Sequence, residues 1–229
     1  MKRIAKAIAD AGFCSRRKAE ELISSGKVSL NGEVIQSPAI NVSSLDQISI
    51  DGQIMPEQEK LRVWIYHKPP GLITTHSDPQ GRDTIFDKLP KNLPRVISVG
   101  RLDMNSQGLL LLTNSGEFAR KMELPSSQIK RIYHVRCFGK ISLDKLKQAE
   151  KGIDINGEKF APHKIELIKS SKHNHMLEFT LMEGKNREIR KICTYFGLKI
   201  SKLMRISYGG YKLGNLQEGT VLEVTPNHI

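Results

Sequence analysis

The sequence is short of cysteine, of long apolar runs and of acid. Its three cysteines, Cys14, Cys137 and Cys193, are far apart and odd in number. That excludes a disulfide framework and a CxxC metal site, and it fits a reducing compartment. No stretch approaches the roughly 18 apolar residues of a membrane span. The first ten residues, MKRIAKAIAD, lack the long apolar stretch and small-residue cleavage site of a signal peptide. The chain is therefore read as cytoplasmic, with no membrane partner. Gly-rich phosphate loops, GxGxxG and the GxSxG elbow are all missing, which removes the common signatures of nucleotide, dinucleotide and serine-hydrolase sites. His173 and His175 form an HxH pair in a polar loop, but no carboxylate or cysteine stands at a useful ligand spacing, so no metal is expected.

What is present is positive charge. Lys and Arg number 36 against 24 acidic residues, a net +12. Residues 1–60 hold 8 basic and 8 acidic residues; residues 61–229 hold 28 and 16, so the whole excess lies in the larger segment. A polyanionic partner is the natural reading, and nucleic acid is the commonest one. At 229 residues, 38% apolar and 26% charged, the chain has room for one large or two small globular domains.

The first 60 residues read as a small α+β module. Ile4, Ala7, Ile8 and Ala11 repeat at helical spacing, and Gly12 can end that helix. Ser15 is a good N-cap for a second helix with the apolar face Ala19, Leu22 and Ile23, which Gly26 can end. Val28–Leu30 and Glu33–Ile35 flank Asn31-Gly32, a two-residue hairpin signal. Gln47–Ile50 is a further strand running into Asp51-Gly52. The second helix opens on Arg16, Arg17 and Lys18, where cations oppose the macrodipole at about 0.3–1 kcal/mol each. A phosphate backbone over that end would reverse the sign; a solvated charged turn is the plainer alternative.

Residues 53–61 are polar and read as a linker. A second domain then starts near Arg62, with a strand at Val63–Tyr66 ended by Lys68-Pro69-Pro70-Gly71. Arg131–Gly139 and Met176–Met182 alternate as strands, and Leu143–Lys151 and Arg187–Phe196 read as helices. Strands and helices mix without a βαβ rhythm, so α+β with a largely antiparallel sheet is expected.

Three segments could carry chemistry. In GRLDMNSQGLLLLTN, 100–114, the run Leu109–Leu112 fits a buried strand, and Asp103 stands in the loop before it. A charge beside a core is costly unless paired, and an arginine partner would hold such a carboxylate ionised; a loop aspartate capping a turn is the bland alternative. In EGKNREIRKICTYFG, 183–197, Asn186 can cap a helix whose apolar stripe is Ile189, Ile192, Cys193 and Phe196. Arg187, Arg190 and Lys191 share its other side, placed to meet a carboxylate or phosphates, or simply water. In KRIYHVR, 130–136, Tyr133 could stack on a base and offer its hydroxyl, or be an ordinary core tyrosine.

The string GFCSRRKAEELISSGKVSLNGEVI, 12–35, resembles the S4 RNA-binding module, over about residues 2–50. The resemblance implies two helices and a small hairpin gripping structured RNA through Arg16, Arg17, Lys18 and Lys27. With HKPPGLITTHSDPQGRDTIFDKLP at 67–90, VGRLDMNSQGLLLLTNSGE at 99–117, KRIYHVRCFG at 130–139, EGKNREIRKI from 183 and KLMRISYGG ending at 210, nearly the whole chain resembles the RsuA/RluB-type ribosomal RNA pseudouridine synthases. The stretch DPQGRDTIFDKLP is more similar to the large-subunit RluB branch.

That resemblance implies an α+β fold in two parts: an S4-like module at 1–52, a linker at 53–61, and a mostly antiparallel mixed sheet flanked by helices at 62–229. It implies a catalytic set of Asp103, Tyr133 and Arg190: Asp103 as catalytic aspartate with Arg101 as its motif neighbour, Tyr133 stacking on the target uracil and a candidate base, and Arg190 pairing with the aspartate. Lys68, Lys185, Asn186 and Arg187 would meet the RNA. The implied partner is ribosomal RNA of the large subunit or an assembly intermediate, the implied state a monomer, and the implied cofactor none, because turning uridine into pseudouridine is an isomerisation. A non-catalytic S4-type RNA-binding protein in ribosome assembly or translational control is the alternative. An RNA-modifying enzyme of another chemistry, such as a methyltransferase, is a third, against which the missing cofactor loop counts.

Overall fold

A computed structural model describes residues 1–56 and 59–227. The chain falls into two compact units, one built mainly from residues 1–62 and one mainly from residues 63–229.

In the first unit, α1 (Ile4–Asp10) and α2 (Arg16–Ser24) pack together over β1 (Val28–Leu30), β2 (Glu33–Ile35) and β3 (Ile48–Ile50). Ile4, Ile8, Ala19, Ile23 and Val28 are fully buried, which is the face the helical spacing predicts. Ser15 caps α2, its hydroxyl accepting from the Lys18 N–H at 3.1 Å; such caps contribute about 1 kcal/mol. Asn31-Gly32 forms the expected turn between β1 and β2. The linker begins later than the sequence reading places it. Gln53–Ile54 form a fourth strand, β4, paired with Ser49 and Ile50 across the Asp51-Gly52 turn. Asp51 and Gly52 both take positive φ, the geometry of a tight hairpin, and two residues suffice to pair. Glu57 and Gln58 of the same stretch lie outside the described residues.

The second unit is built on β5 (Val63–Lys68), α3 (Ile85–Lys88), β6 (Gln107–Thr113), α4 (Gly116–Glu123), β7 (Arg131–Phe138), α5 (Leu143–Ala149), β8 (Lys164–Ser170), β9 (Asn174–Leu181), α6 (Glu188–Tyr195), β10 (Lys199–Tyr208) and β11 (Val221–Val224). The main path of its sheet runs β8-β9-β7-β10-β6-β5-β11. Every neighbouring pair on that path is antiparallel except β10 with β6, which is parallel. Leu109 to Leu112 are 0% exposed, so β6 is buried on both faces and its continuous apolar run needs no alternation. The stripe of α6, Ile189, Ile192 and Cys193, packs against Val135, Leu177, Phe179 and Leu203 of the sheet.

Two local readings change. Asn186 does not cap α6. The N-cap is Arg187, in the left-handed region at φ 52°, with no side-chain cap. The Glu188 carboxylate reaches back instead to accept from the Lys185 N–H at 3.2 Å, which leaves Asn186 in the loop before the helix. His175 is in a strand rather than a polar loop. It is buried, and its ring bonds Ser170 Oγ at 2.9 Å and the Gly139 carbonyl at 2.9 Å. An inward position on β9 gives it a structural use.

Candidate active site

A cavity of about 880 Å³ opens in the second unit. Asp103, Arg101, Tyr133, Lys185, Asn186, Arg187 and Arg190 all line it, although they come from three separate stretches of sequence. The sheet brings them together. Asp103 stands in the loop entering β6, Tyr133 sits near the start of β7, Arg187 caps α6 and Arg190 belongs to its first turn.

Asp103 is the point of convergence. Arg190 Nε stands 3.5 Å and Arg187 Nη1 3.7 Å from its Oδ2. These are ion pairs at distances too long for strong hydrogen bonds. The guanidinium of Arg190 is fixed elsewhere, donating to the Asn105 carbonyl at 3.0 Å and Ser106 Oγ at 3.2 Å. Burial and the neighbouring Arg187 push Arg190 below its ordinary pKa, against the pull of Asp103. Arg101 does not pair with Asp103; it is exposed at the cavity wall. Lys185 is committed, donating to the Lys159 carbonyl and standing 3.3 Å from Glu183.

The loop that carries Asp103 is clamped from both sides. Thr74 Oγ1 donates to the Leu102 carbonyl at 2.9 Å and accepts from the Leu102 N–H at 3.3 Å. On the other side is Lys68. This lysine is 0% exposed and so cannot meet RNA directly, which corrects the sequence reading. Its place on β5 turns it inward, and its ammonium donates to the carbonyls of Pro69 and Ser106 at 2.9 Å and of Met104 at 3.4 Å.

Burial lowers the Lys68 pKa to about 8, against the attraction of Asp103. A depressed lysine means that the unfolded chain binds more protons than the fold between about 8 and its ordinary 10.5. Stability from this group therefore rises with pH across that window, and its burial cost is present in full below it. Chemical denaturation from pH 7.5 to 10.5 is expected to show that rising component in the wild type and to lose it in Lys68→Met. An identical pH profile in both would mean Lys68 is not a buried cation.

The sequence reading missed a further set of cavity-lining groups. Arg131 and Arg205 are 6% and 2% exposed, and their guanidiniums lie over the Tyr208 ring at 4.7 and 4.9 Å. The Tyr208 hydroxyl accepts from Arg131 at 3.0 Å and donates to the Met122 carbonyl at 2.9 Å. Arg131 meets backbone carbonyls, including Met182 at 3.1 Å, and Arg205 Nε donates to Leu109 O at 2.7 Å. Burial holds the Tyr208 hydroxyl above its ordinary pKa. Glu188, 3% exposed beside Glu183, is pushed up to about 7 by its burial first and by Glu183 second. Arg82 and Asp78 also line the cavity; Arg82 donates through Nε and Nη2 to both Asp78 oxygens at 2.9 and 2.8 Å, and these bonds pull Asp78 down to about 2. Arg131 and Arg205 share the inward face of their strands with Val135 and Leu203, so alternation gave no signal for them, and their meeting over Tyr208 needs the sheet register.

The S4-like positions stand in the other unit. Arg16, Arg17, Lys18 and Lys27 are exposed; Lys18 pairs with Glu21 at 2.9 Å, and Lys27 faces Asp51 at 3.9 Å.

Among the described residues no helix is long and apolar enough to cross a membrane, and no group of three His, Cys, Asp or Glu residues could hold a metal ion. A sequence model of the family RNA pseudouridylate synthase matches residues 62–195, and one of the S4 domain matches residues 2–48. A Rickettsia felis protein described as an uncharacterized RNA pseudouridine synthase is 53% identical over 98% of this chain and 97% of its own length. The Bacillus subtilis ribosomal large subunit pseudouridine synthase B is 38% identical over 100% of this chain and 94% of its own. A crystal structure of a pseudouridylate synthase superposes with a TM-score of 0.69 at 25% identity, covering 98% of this chain and 96% of that one. These matches set aside the non-catalytic and methyltransferase alternatives. The chain belongs to the RNA pseudouridylate synthase family, in its RsuA/RluB-type branch with an N-terminal S4 domain, and is an RNA pseudouridine synthase.

Proposed function

We propose that this enzyme isomerises a uridine of large-subunit ribosomal RNA to pseudouridine, with Asp103 as the catalytic carboxylate. The observation that carries the proposal is the convergence of Arg187 and Arg190 on Asp103, at 3.7 and 3.5 Å, in a cavity large enough for an extruded nucleotide. The large-subunit assignment draws on the Bacillus relative's printed name and on its coverage of the whole chain.

The reaction breaks the N1–C1′ bond, turns the uracil, and joins C5 to C1′. C5 gives up its proton to solvent and N1 gains one, so atoms and electrons balance without a cofactor. The carboxylate of Asp103 acts at the base–ribose junction. Extruding the base costs a few kcal/mol, and stacking on Tyr133, worth about 1–3 kcal/mol, offsets much of it. Arg190 neutralises and positions Asp103. Arg101, Asn186 and Arg187 face the incoming strand, and the exposed Arg16, Arg17 and Lys18 at the start of α2 hold structured RNA through its phosphates.

Tritium release tests the assignment. Large-subunit RNA or its assembly intermediates carrying 5-³H-uridine should lose label stoichiometrically at one or a few sites, and small-subunit RNA should lose none. Release from small-subunit RNA alone would overturn the substrate assignment.

A further inference from the structure

At the far end of β7 the sheet carries cations with no acid beside them. Arg136 stands directly opposite Lys202 on β10, and Phe138 opposite Lys199. On the other side β9 places Met176 and Asn174 at those rungs. Like charges directly opposite each other across strands destabilise a sheet. Two residues back along the same strand the sequence does supply an acid, since His134 faces Glu178 at 3.2 Å. Among the described residues Arg136, Lys199 and Lys202 make no ion pair.

The register shifts between Arg136 and Cys137, so the step from Lys199 to Lys202 spans only Phe138 to Arg136. Such a bulge re-aims side chains. It leaves Val135, Cys137 and Leu203 buried while Arg136, Phe138, Lys199 and Lys202 are all exposed. Ser201 Oγ fixes the bulge by donating to the Arg136 carbonyl at 3.2 Å. Beyond it Gly139 lies so close to the chain after α6 that a Cβ there would meet the Gly197 carbonyl at 2.8 Å. The residues that follow line a groove of about 270 Å³, which Lys140 and Lys145 share with Phe196 and Leu198.

We propose that this end of the sheet is a second RNA-contact surface, which holds a single-stranded or looped segment of the substrate away from the target uridine. Arg136, Lys199, Lys202 and Lys140 take phosphates, and Phe138, 43% exposed, stacks on a base. Phe138 lies five residues beyond Tyr133 on one strand, about 17 Å along it, and the odd separation turns the two side chains to opposite faces of the sheet, so the segment held is a different part of the RNA from the one in the cavity. Cations spaced around an exposed aromatic ring suit a nucleic-acid strand better than an acidic peptide, which has no planar base to offer. The inference rests on the enzyme acting on an RNA larger than the target loop alone.

Arg136→Glu separates function from structure. It places an acid opposite Lys202, so its melting temperature should equal or exceed that of the wild type. Its affinity for a large-subunit RNA fragment should nevertheless fall about tenfold or more, with the slope of log K against log salt shallower by roughly 0.7–1.4. Phe138→Ala should weaken binding about fivefold or more with the slope unchanged. Wild-type affinity and slope in Arg136→Glu would overturn the proposal. So would weaker binding accompanied by a lower melting temperature, which marks a structural role. Normal binding to naked RNA with lost binding to an assembly particle would give the surface to a protein. An error in the large-subunit assignment would look different: the wild type itself would release no tritium from that RNA.

Discussion

Asp103→Asn is expected to release no tritium above background, a single-turnover rate at least about a thousandfold below wild type. The substitution keeps the side chain's shape and removes its charge. The loop does not depend on that charge, because Thr74 grips Leu102, the Lys68 ammonium grips Met104 and Ser106, and the Ser106 N–H donates to the Asp103 carbonyl at 2.9 Å. Arg190 also stays in place through Asn105 and Ser106. The melting temperature should therefore hold. RNA affinity should hold or rise, since Arg187 and Arg190 then face phosphates with no carboxylate to share them. Release at the wild-type rate would move the chemistry to another group. Loss of RNA binding together with activity would make Asp103 a structural residue.

The parts of this fold legible in the sequence are those with local causes. The α2 cap at Ser15, the Asn31-Gly32 hairpin and the fully buried Leu109–Leu112 strand each follow from a few neighbouring residues, and each stands where expected. The site was legible only as separate stretches. Nothing local says that residues 103, 133 and 190 share a cavity, because the sheet order that joins them is set by long-range pairing. Lys68 misled for the same reason. A lysine before Pro-Pro-Gly reads as a surface turn, yet β5 extends two residues further than Tyr66 and carries it into the core. Its partners are backbone carbonyls from residues 104 and 106, which leave no mark on sequence. The like-charge pair Arg136–Lys202 also escaped notice, since a cross-strand neighbour is defined by register, and here a bulge shifts that register.

Gly108→Ala is expected to cost more than about 4 kcal/mol and to lower the melting temperature by about 10 °C or more, with much of the protein insoluble. Gly108 follows the Asp103 loop on β6, at the parallel pairing where Arg205 of β10 lies directly beside it. Its φ is +100°, and a Cβ there would stand 2.3 Å from the Arg205 carbonyl oxygen, 2.9 Å from the Arg205 nitrogen and 2.8 Å from Met204 Cγ. Two of those three atoms are backbone and cannot swing aside, so the strands must separate. That pairing is where β6 and β5 join the β7, β9 and β10 half of the sheet, so separation reaches both the core and the cavity. Gly214→Ala is the control. Gly214 also has positive φ, +55°, but nothing lies within 4 Å of its Cβ position. It should cost only the left-handed penalty, about 1–2 kcal/mol. The gap between the two variants measures the steric clash together with the added backbone strain of φ +100° over +55°. Equal melting temperatures would mean that the strands at 108 and 205 do not pack this closely, and the geometry that sets Asp103 over its arginines would then have to be redrawn.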